Sequence, residues 1–280
     1  MMRFALVGPA PFALAERLQG ATVKTHRSGA ELELGGCDAV AVLEPRQDDD
    51  GVIGRCLAAG KHVLLTPPTH LLAAALDRLS AQARRSGVQL AVLNPDRFLP
   101  SRRLIRQQLD AGRLGEPGLV RVHHWRPGPG DPFAAVQRDL DVAIWLIGRP
   151  PSVIYATEAA GRSCQLHLGF PDGPMALVDY ACCLPDGEGY RSLSLIGSSG
   201  AAYADDHQNV QLLLQGGRPR AIRVPEEGRE ILAVLQAFVC SVDRGDDLAP
   251  SVAAWRLAAA VVEACRRSAA TGRAVPLEGW

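Results

Sequence analysis

The chain has 280 residues, 47% of them hydrophobic, and its 30 lysine and arginine residues balance its 30 aspartate and glutamate residues. This neutral charge, with only 5% aromatic residues, argues against nucleic acid as a partner, because nucleic-acid surfaces need excess cations and stacking rings. The length suits one large or two ordinary domains.

No apolar run approaches the roughly 20 residues that span a bilayer, so we predict a soluble, cytoplasmic protein with no membrane partner. The seven cysteines are odd in number and scattered, which predicts reduced thiols. The sequence has no Cys/His cluster with zinc spacing, and we therefore predict no metal site.

Residues 1 to about 98 alternate short strand-like runs with helical stretches. Strands are predicted at 4–7, 21–24, 39–43, 62–65 and 89–93, and helices at 11–18, 51–59 and 71–86. A repeated β-α-β order predicts a parallel sheet covered by helices.

The second half reads differently after a predicted helix at 100–111. Strands are expected at 119–125, 152–158, 163–170, 175–183, 191–196 and 210–214, separated by turn residues, with closing helices at 230–243 and 252–269, the last capped by Ser251. We predict an antiparallel sheet here, and a division into domains 1–118 and 119–280.

Strand alternation assigns neighbouring side chains to opposite faces. His123 and His124 should point to opposite faces of one strand, and so should Cys182 and Cys183. Asp179 and Tyr180 are expected at a surface or a subunit interface.

Several motifs occur in an order that resembles one known family. They are C-D-A-V-A-V-L-E-P at 37–45, A-G-K-H-V-L at 59–64, R-F-x-P at 97–100, A-G-x-x-G-E at 111–116, D-L-D at 139–141 followed by W-L and G, and I-G-S-S-G at 196–200. This series resembles the glucose-fructose oxidoreductase, inositol dehydrogenase and MocA (Gfo/Idh/MocA) family. The resemblance implies an α/β protein, with an N-terminal Rossmann-like parallel sheet followed by an α/β domain with a large open, mainly antiparallel sheet.

The resemblance also implies contacts to NAD(P). If coenzyme binding is retained, these contacts fall on the ends of the first-half strands, at Gly8, Ala10, Arg27, Glu44, Pro45, Thr66, Pro68 and Asn94.

The coenzyme motif itself is altered. A dinucleotide turn needs G-x-G-x-x-G, and here it reads G-P-A-P-F-A, so that only Gly8 survives while Ala10 adds a methyl group and two prolines remove N–H donors. The next strand ends in Lys24-Thr25-His26-Arg27, with no acid for the ribose. Arg27 either favours NADP or is a solvated surface residue. We expect NAD(P) binding to be weakened or absent.

The family's three acid/base residues are substituted. Its E-K-P motif is Thr66-Pro67-Pro68 here, and its Asp and His align with Ala134 and Arg138. Candidates to replace them are His124 and Arg138, and the substrate-binding candidates are Arg97, Asp131, Arg138 and Asp141. More ordinary roles are a structural strand histidine, a turn residue at Asp131, and an ion pair of Arg138 with Asp131 or Asp141.

Three functions remain open from the sequence. The first is a scaffold that has lost the usual dehydrogenase chemistry and serves as a binding or partner subunit. The second is an active NAD(P)H-dependent oxidoreductase that acts on a small molecule with a replaced proton donor. The third is non-redox chemistry by Asp or His groups in an altered pocket. In each case the open sheet predicts a homodimer or larger homo-oligomer, because large exposed apolar faces are rare on monomers.

Overall fold

The computed structural model describes residues 1–9, 17–29, 32–206, 210–215, 220–223 and 230–279, without the side chain of Asp48. In chain order its strands and helices are β1 (Met2–Val7), β2 (Ala21–His26), β3 (Ala39–Val42), α1 (Asp50–Ala58), β4 (His62–Leu65), α2 (Ala73–Ser86), β5 (Leu90–Val92), α3 (Pro100–Asp110), β6 (Pro117–Pro127), α4 (Pro132–Ala135), α5 (Gln137–Ile147), β7 (Val153–Ala159), β8 (Ser163–Gly169), β9 (Met175–Leu184), β10 (Tyr190–Gly197), β11 (Ala201–Asp205), β12 (Val210–Leu214), β13 (Arg220–Ile222), α6 (Glu230–Arg244), α7 (Ala249–Thr271) and β14 (Val275–Pro276).

The chain forms two compact units. One comprises Met1–Phe98 and Gly228–Arg256, and the other comprises Leu99–Glu227 and Leu257–Trp280. This grouping differs from the predicted division at residue 118. The reason is that a helix joins the core that its apolar face fills, whatever its place in the chain: Ile105 of α3 belongs to the core of the second unit, and Phe238 of α6 to that of the first.

The first unit contains the predicted parallel sheet, with strand order β2-β1-β3-β4-β5. The central strand β3 consists of small and branched apolar residues and is fully buried, as expected for a strand with both faces covered. Phe4 of β1 packs on Phe238 of α6, with ring centroids 5.9 Å apart. The predicted helix at 11–18 falls largely outside the described residues.

The second unit contains the predicted large sheet, in the order β13-β12-β11-β10-β6-β9-β8-β7-β14. Neighbouring strands are antiparallel except for β6 and β9, which run parallel. Its inner face packs with α5 and α7 into one core. Several large apolar side chains of the opposite face are exposed, including Met175 and Ile196 at 50% each.

One predicted helix start is wrong. Helix α7 begins at Ala249, so Ser251 lies inside its first turn and does not cap it. The Ser251 hydroxyl donates to the Leu248 carbonyl oxygen at 2.7 Å and accepts the Val92 N–H at 3.2 Å. In the part of the chain that is described, no helix is long and apolar enough to cross a membrane.

Candidate functional site

The carboxyl edge of the parallel sheet has the geometry of a nucleotide site. The strand order reverses direction around β1, and in open α/β sheets ligands bind at the carboxyl ends of the strands at such a switch point. Gly8, directly after β1, has a φ of +110°, and a Cβ atom on it would lie 2.4 Å from the Leu43 carbonyl oxygen. The backbone therefore requires a glycine at position 8.

A cavity of about 360 Å³ opens beside Gly8. Its wall includes three of the predicted coenzyme positions, Gly8, Arg27 and Glu44, together with Ser28 and Arg46. A cavity with two guanidinium groups at the switch point fits the adenosine and phosphate portion of a dinucleotide. Ala10, the other predicted position in the turn after β1, lies outside the described residues.

Glu44 connects the ends of β3 and β4. Its φ of +49° is left-handed, which is uncommon for a residue with a side chain, and its N–H donates to the buried Thr66 hydroxyl at 2.7 Å. Pro45 and Pro68, which follow the same two strands, are buried. Thr66 thus holds the strained backbone at this edge.

Asn94, which follows β5, accepts the hydrogen bonds that form a turn. The buried Asn94 accepts the Asp96 N–H on Oδ1 at 3.0 Å, and its backbone oxygen accepts the Arg97 N–H at 3.1 Å. Arg97 is half-buried in the 3-10 helix Pro95–Phe98. Asn94 therefore positions the backbone that follows the strand.

A buried charged cluster lies on the inner face of the large sheet. Asp139, in the first turn of α5, is 1% exposed, and its Oδ2 lies 2.8 Å from His124 Nδ1 on β6. Arg191 on β10 donates to Asp139 Oδ1 through Nε at 3.1 Å and also through Nη2. Arg191 and His124 are direct cross-strand partners, so the sheet register brings both cations to one carboxylate.

The Asp139 carboxylate orients the imidazole of His124. In the neutral tautomer that donates its Nδ1–H to Asp139, the other ring nitrogen, Nε2, carries the lone pair. Tyr180 packs edge-on against the imidazole, with ring centroids 5.2 Å apart. Burial raises the pKa of Tyr180, while the nearby Arg126 lowers it less, and the phenol is neutral at ordinary pH.

The comparison with protein families decides the relationship. Residues 106–277, more than half of the chain, match the family described as "Oxidoreductase family, C-terminal alpha/beta domain" of the Gfo/Idh/MocA group. The chain belongs to the Gfo/Idh/MocA family.

Similar proteins and structures agree with this membership. Inositol 2-dehydrogenase 1 of Saccharopolyspora erythraea is 28% identical over 264 residues, which cover 87% of this chain and 78% of that protein. A probable dehydrogenase from Thermotoga maritima has a similar fold, with a TM-score of 0.81 at 19% identity and 99% coverage of both chains. An oxidoreductase from Agrobacterium radiobacter, solved with NAD+, L-tartaric acid and magnesium, also has a TM-score of 0.81, at 17% identity and 98% coverage of both chains.

In this Gfo/Idh/MocA protein the remaining predicted substrate-binding residues lie on α5 or at the start of α4. Arg138 is half-buried in the first turn of α5, and Asp141 is buried on the same helix. Asp131 caps α4 by accepting the Phe133 N–H at 3.0 Å, and it forms an ion pair with Arg266. The Asp131 carboxylate thus has structural partners.

Sequence reasoning did not select Asp139, Arg191 or Arg46, and it expected Tyr180 at a surface or an interface. Tyr180 is buried instead, because strand alternation places it on the inner face with Ala176 and Val178. The same alternation places His124 with Val120 and Val122, and this was the available signal for its orientation. No local pattern identifies Arg191 as its partner.

Proposed function

We propose that this chain is an NAD(P)-dependent oxidoreductase for a small molecule, in which His124 replaces the usual proton donor. The observation that carries the proposal is the 2.8 Å contact between His124 Nδ1 and the carboxylate of Asp139, which is 1% exposed. Asp139 of this cluster lies on α5, next to position 138, where the family resemblance places the usual acid/base histidine.

Each residue of the cluster has a distinct task. Asp139 orients the imidazole so that Nε2 takes a proton from a substrate hydroxyl or, once protonated, returns one to the product. Arg191 balances the charge of Asp139, so that His124 can be neutral without leaving a buried carboxylate uncompensated. A bound nicotinamide coenzyme would supply the hydride acceptor or donor, and Gly8, Arg27, Ser28 and Arg46 are the residues that would hold its adenosine end.

The relatives support redox chemistry but not a particular substrate. Relatives named inositol 2-dehydrogenase and a neighbour solved with NAD+ favour oxidation of a hydroxyl or reduction of a carbonyl or imine. Pro67, Ala134 and Arg138 replace all three acid/base side chains that the resemblance assigns. We therefore propose a substrate other than inositol.

A second candidate function is a scaffold that has lost dehydrogenase chemistry and serves as a binding or partner subunit. Pro67 favours it, because a proline at the lysine position can neither donate a proton nor polarise a hydroxyl. Pro9 favours it as well, since it lacks an N–H for phosphate in the turn after Gly8.

The test begins with fluorescence titrations of NADH and NADPH, followed by turnover assays on a panel of polyols, sugar acids, ketones and imines. The key variant is His124→Gln, and the matched control is His123→Gln on the opposite face of the same strand. We expect His124→Gln to lower kcat/KM by about 10² to 10⁴-fold, as for the loss of a general acid or base, and His123→Gln to leave it unchanged.

The outcomes separate the two candidates. Failure of both coenzymes to bind would support the scaffold and contradict the enzyme. Turnover that survives His124→Gln intact would exclude this histidine as the proton-transfer group.

A further inference from the structure

Two arginines approach the coenzyme cavity from different strands. Arg27 directly follows β2, and Arg46 lies four residues beyond the end of β3. Both line the cavity beside Gly8, together with Ser28. Because β1 lies between β2 and β3 in the sheet, the two arginines approach from opposite sides of the turn that follows β1.

The loops that carry these arginines are held in place. A Cβ atom on Gly29 would lie 2.3 Å from Val52 Cγ2 of α1, so the segment after Arg27 is pressed against that helix. Arg55 of the same helix donates to the Gly29 carbonyl oxygen at 3.4 Å. The Arg46 N–H donates to Asp49 Oδ2 at 2.9 Å, which fixes the backbone of the second loop.

The positive charge at the end of β2 favours binding of a ribose 2′-phosphate over an unmodified ribose with free hydroxyls. A dinucleotide site that selects the free ribose places an acid at this strand end to accept hydrogen bonds from the 2′-hydroxyl. Here residues 25–28 read Thr-His-Arg-Ser, which offers a guanidinium and a hydroxyl as donors. The acids of the cavity wall, Glu44 and Asp49, come from the β3 side, and Asp49 already accepts the Arg46 N–H.

We infer that Arg27, Ser28 and Arg46 form a subsite for the 2′-phosphate of the adenosine ribose, so that this protein selects NADP(H) over NAD(H). This inference rests on the proposed function. Guanidinium groups form the strongest hydrogen bonds with phosphate dianions, and two of them contribute charge-assisted bonds that a ribose hydroxyl cannot make.

The test uses nucleotide fragments, so that it requires neither turnover nor the nicotinamide. Adenosine 2′,5′-bisphosphate and 5′-AMP are titrated into the full chain by calorimetry. We expect the bisphosphate to bind at least about tenfold more tightly, as for one charge-assisted contact or more.

The variants assign the effect to residues. Arg27→Ala and Arg46→Ala should each weaken bisphosphate binding about tenfold and change 5′-AMP binding by less than about twofold. Arg85→Ala, which removes an exposed cation from α2 in the same unit, is the matched control and should change neither. Arg27→Glu should reverse the preference toward NADH, because it restores an acid at the end of β2.

The result separates this inference from the proposed function. Equal or tighter binding of 5′-AMP, or failure of both fragments to bind, overturns the phosphate subsite, and the NADH titration then shows whether coenzyme binding itself remains. Tight bisphosphate binding by a protein that turns over no substrate supports the subsite and counts against the oxidoreductase.

Discussion

His123 and His124 are neighbours on β6, and each pairs with an aspartate, but the two pairs lie on opposite faces of the sheet. Asp139, the partner of His124, is 1% exposed and also binds Arg191. Asp179, the partner of His123, is 31% exposed and accepts the Trp125 indole N–H at 2.7 Å. A histidine–aspartate contact alone therefore does not indicate function.

The two histidine–aspartate pairs differ in how far each face of the sheet shields them from water. On the inner face the carboxylate is removed from water, so its contact with His124 is only weakly screened and the imidazole is held in one orientation. On the outer face solvent screens the pair, as for most surface ion pairs.

The aspartates should differ most in their contribution to stability. Asp139→Asn leaves Arg191 without its counter-charge in a buried site, and we expect the free energy of unfolding to fall by about 3 kcal/mol. Asp179→Asn should cost less than about 1 kcal/mol, since the pair is partly exposed to solvent and the amide oxygen can still accept from Trp125. Urea denaturation monitored by circular dichroism measures both values, and equal losses would show that burial does not distinguish the pairs.

The apolar part of the outer face around Met175 and Ile196, which are both paired with Leu119 and lie four residues along the strands from His123 and Asp179, should bury itself against a second copy of the chain. Met175 and Ile196 are among the apolar side chains that this face exposes, and light scattering of the purified protein should give the mass of a dimer or larger homo-oligomer. Ile196→Glu should weaken the association at least about tenfold. Leu72→Glu, at an exposed apolar position in the first unit, is the control. A monomeric wild-type protein would contradict this prediction.

The buried thiols behind the inner face should lower the stability of the protein in alkaline solution. Burial raises the pKa of Cys164 on the inner face and of Cys265 on α7 to about 12. The unfolded thiols lose their protons near pH 9 while the folded ones keep them, so the unfolded state binds fewer protons and stability falls as the pH rises from 9 toward 12. At pH 10 the loss should be about 1.4 kcal/mol for each such thiol relative to pH 8.

Urea titrations at pH 8, 9 and 10 measure this slope. Cys164→Ala should remove one thiol's share of it, and Cys265→Ala should remove a similar share. A slope that Cys164→Ala does not alter would rule out this thiol as its source.

Much of the fold could be predicted, because the sequence of a single segment often determines whether it forms a strand or a helix. The predicted strands at 62–65 and 210–214 match β4 and β12, since their apolar and β-branched residues favour extended backbone. Strands β11, β13 and β14 were not predicted. In β11 the buried residues are Ala202, Ala204 and Asp205, which give too weak an apolar alternation to detect, and β13 and β14 are very short. The unit that α6 joins could not be predicted, because it depends on which distant core accepts its apolar face.

The sequence by itself determined the family and the opposite orientation of neighbours such as His123 and His124, because the two-residue period of a strand is a property of the backbone. Only the tertiary structure decided which of those histidines meets a buried carboxylate. That choice depends on α5 covering one face of the sheet and on the pairing of β6 with β10, which brings Arg191 opposite His124. These contacts join residues that are far apart in the chain, and no local pattern encodes them.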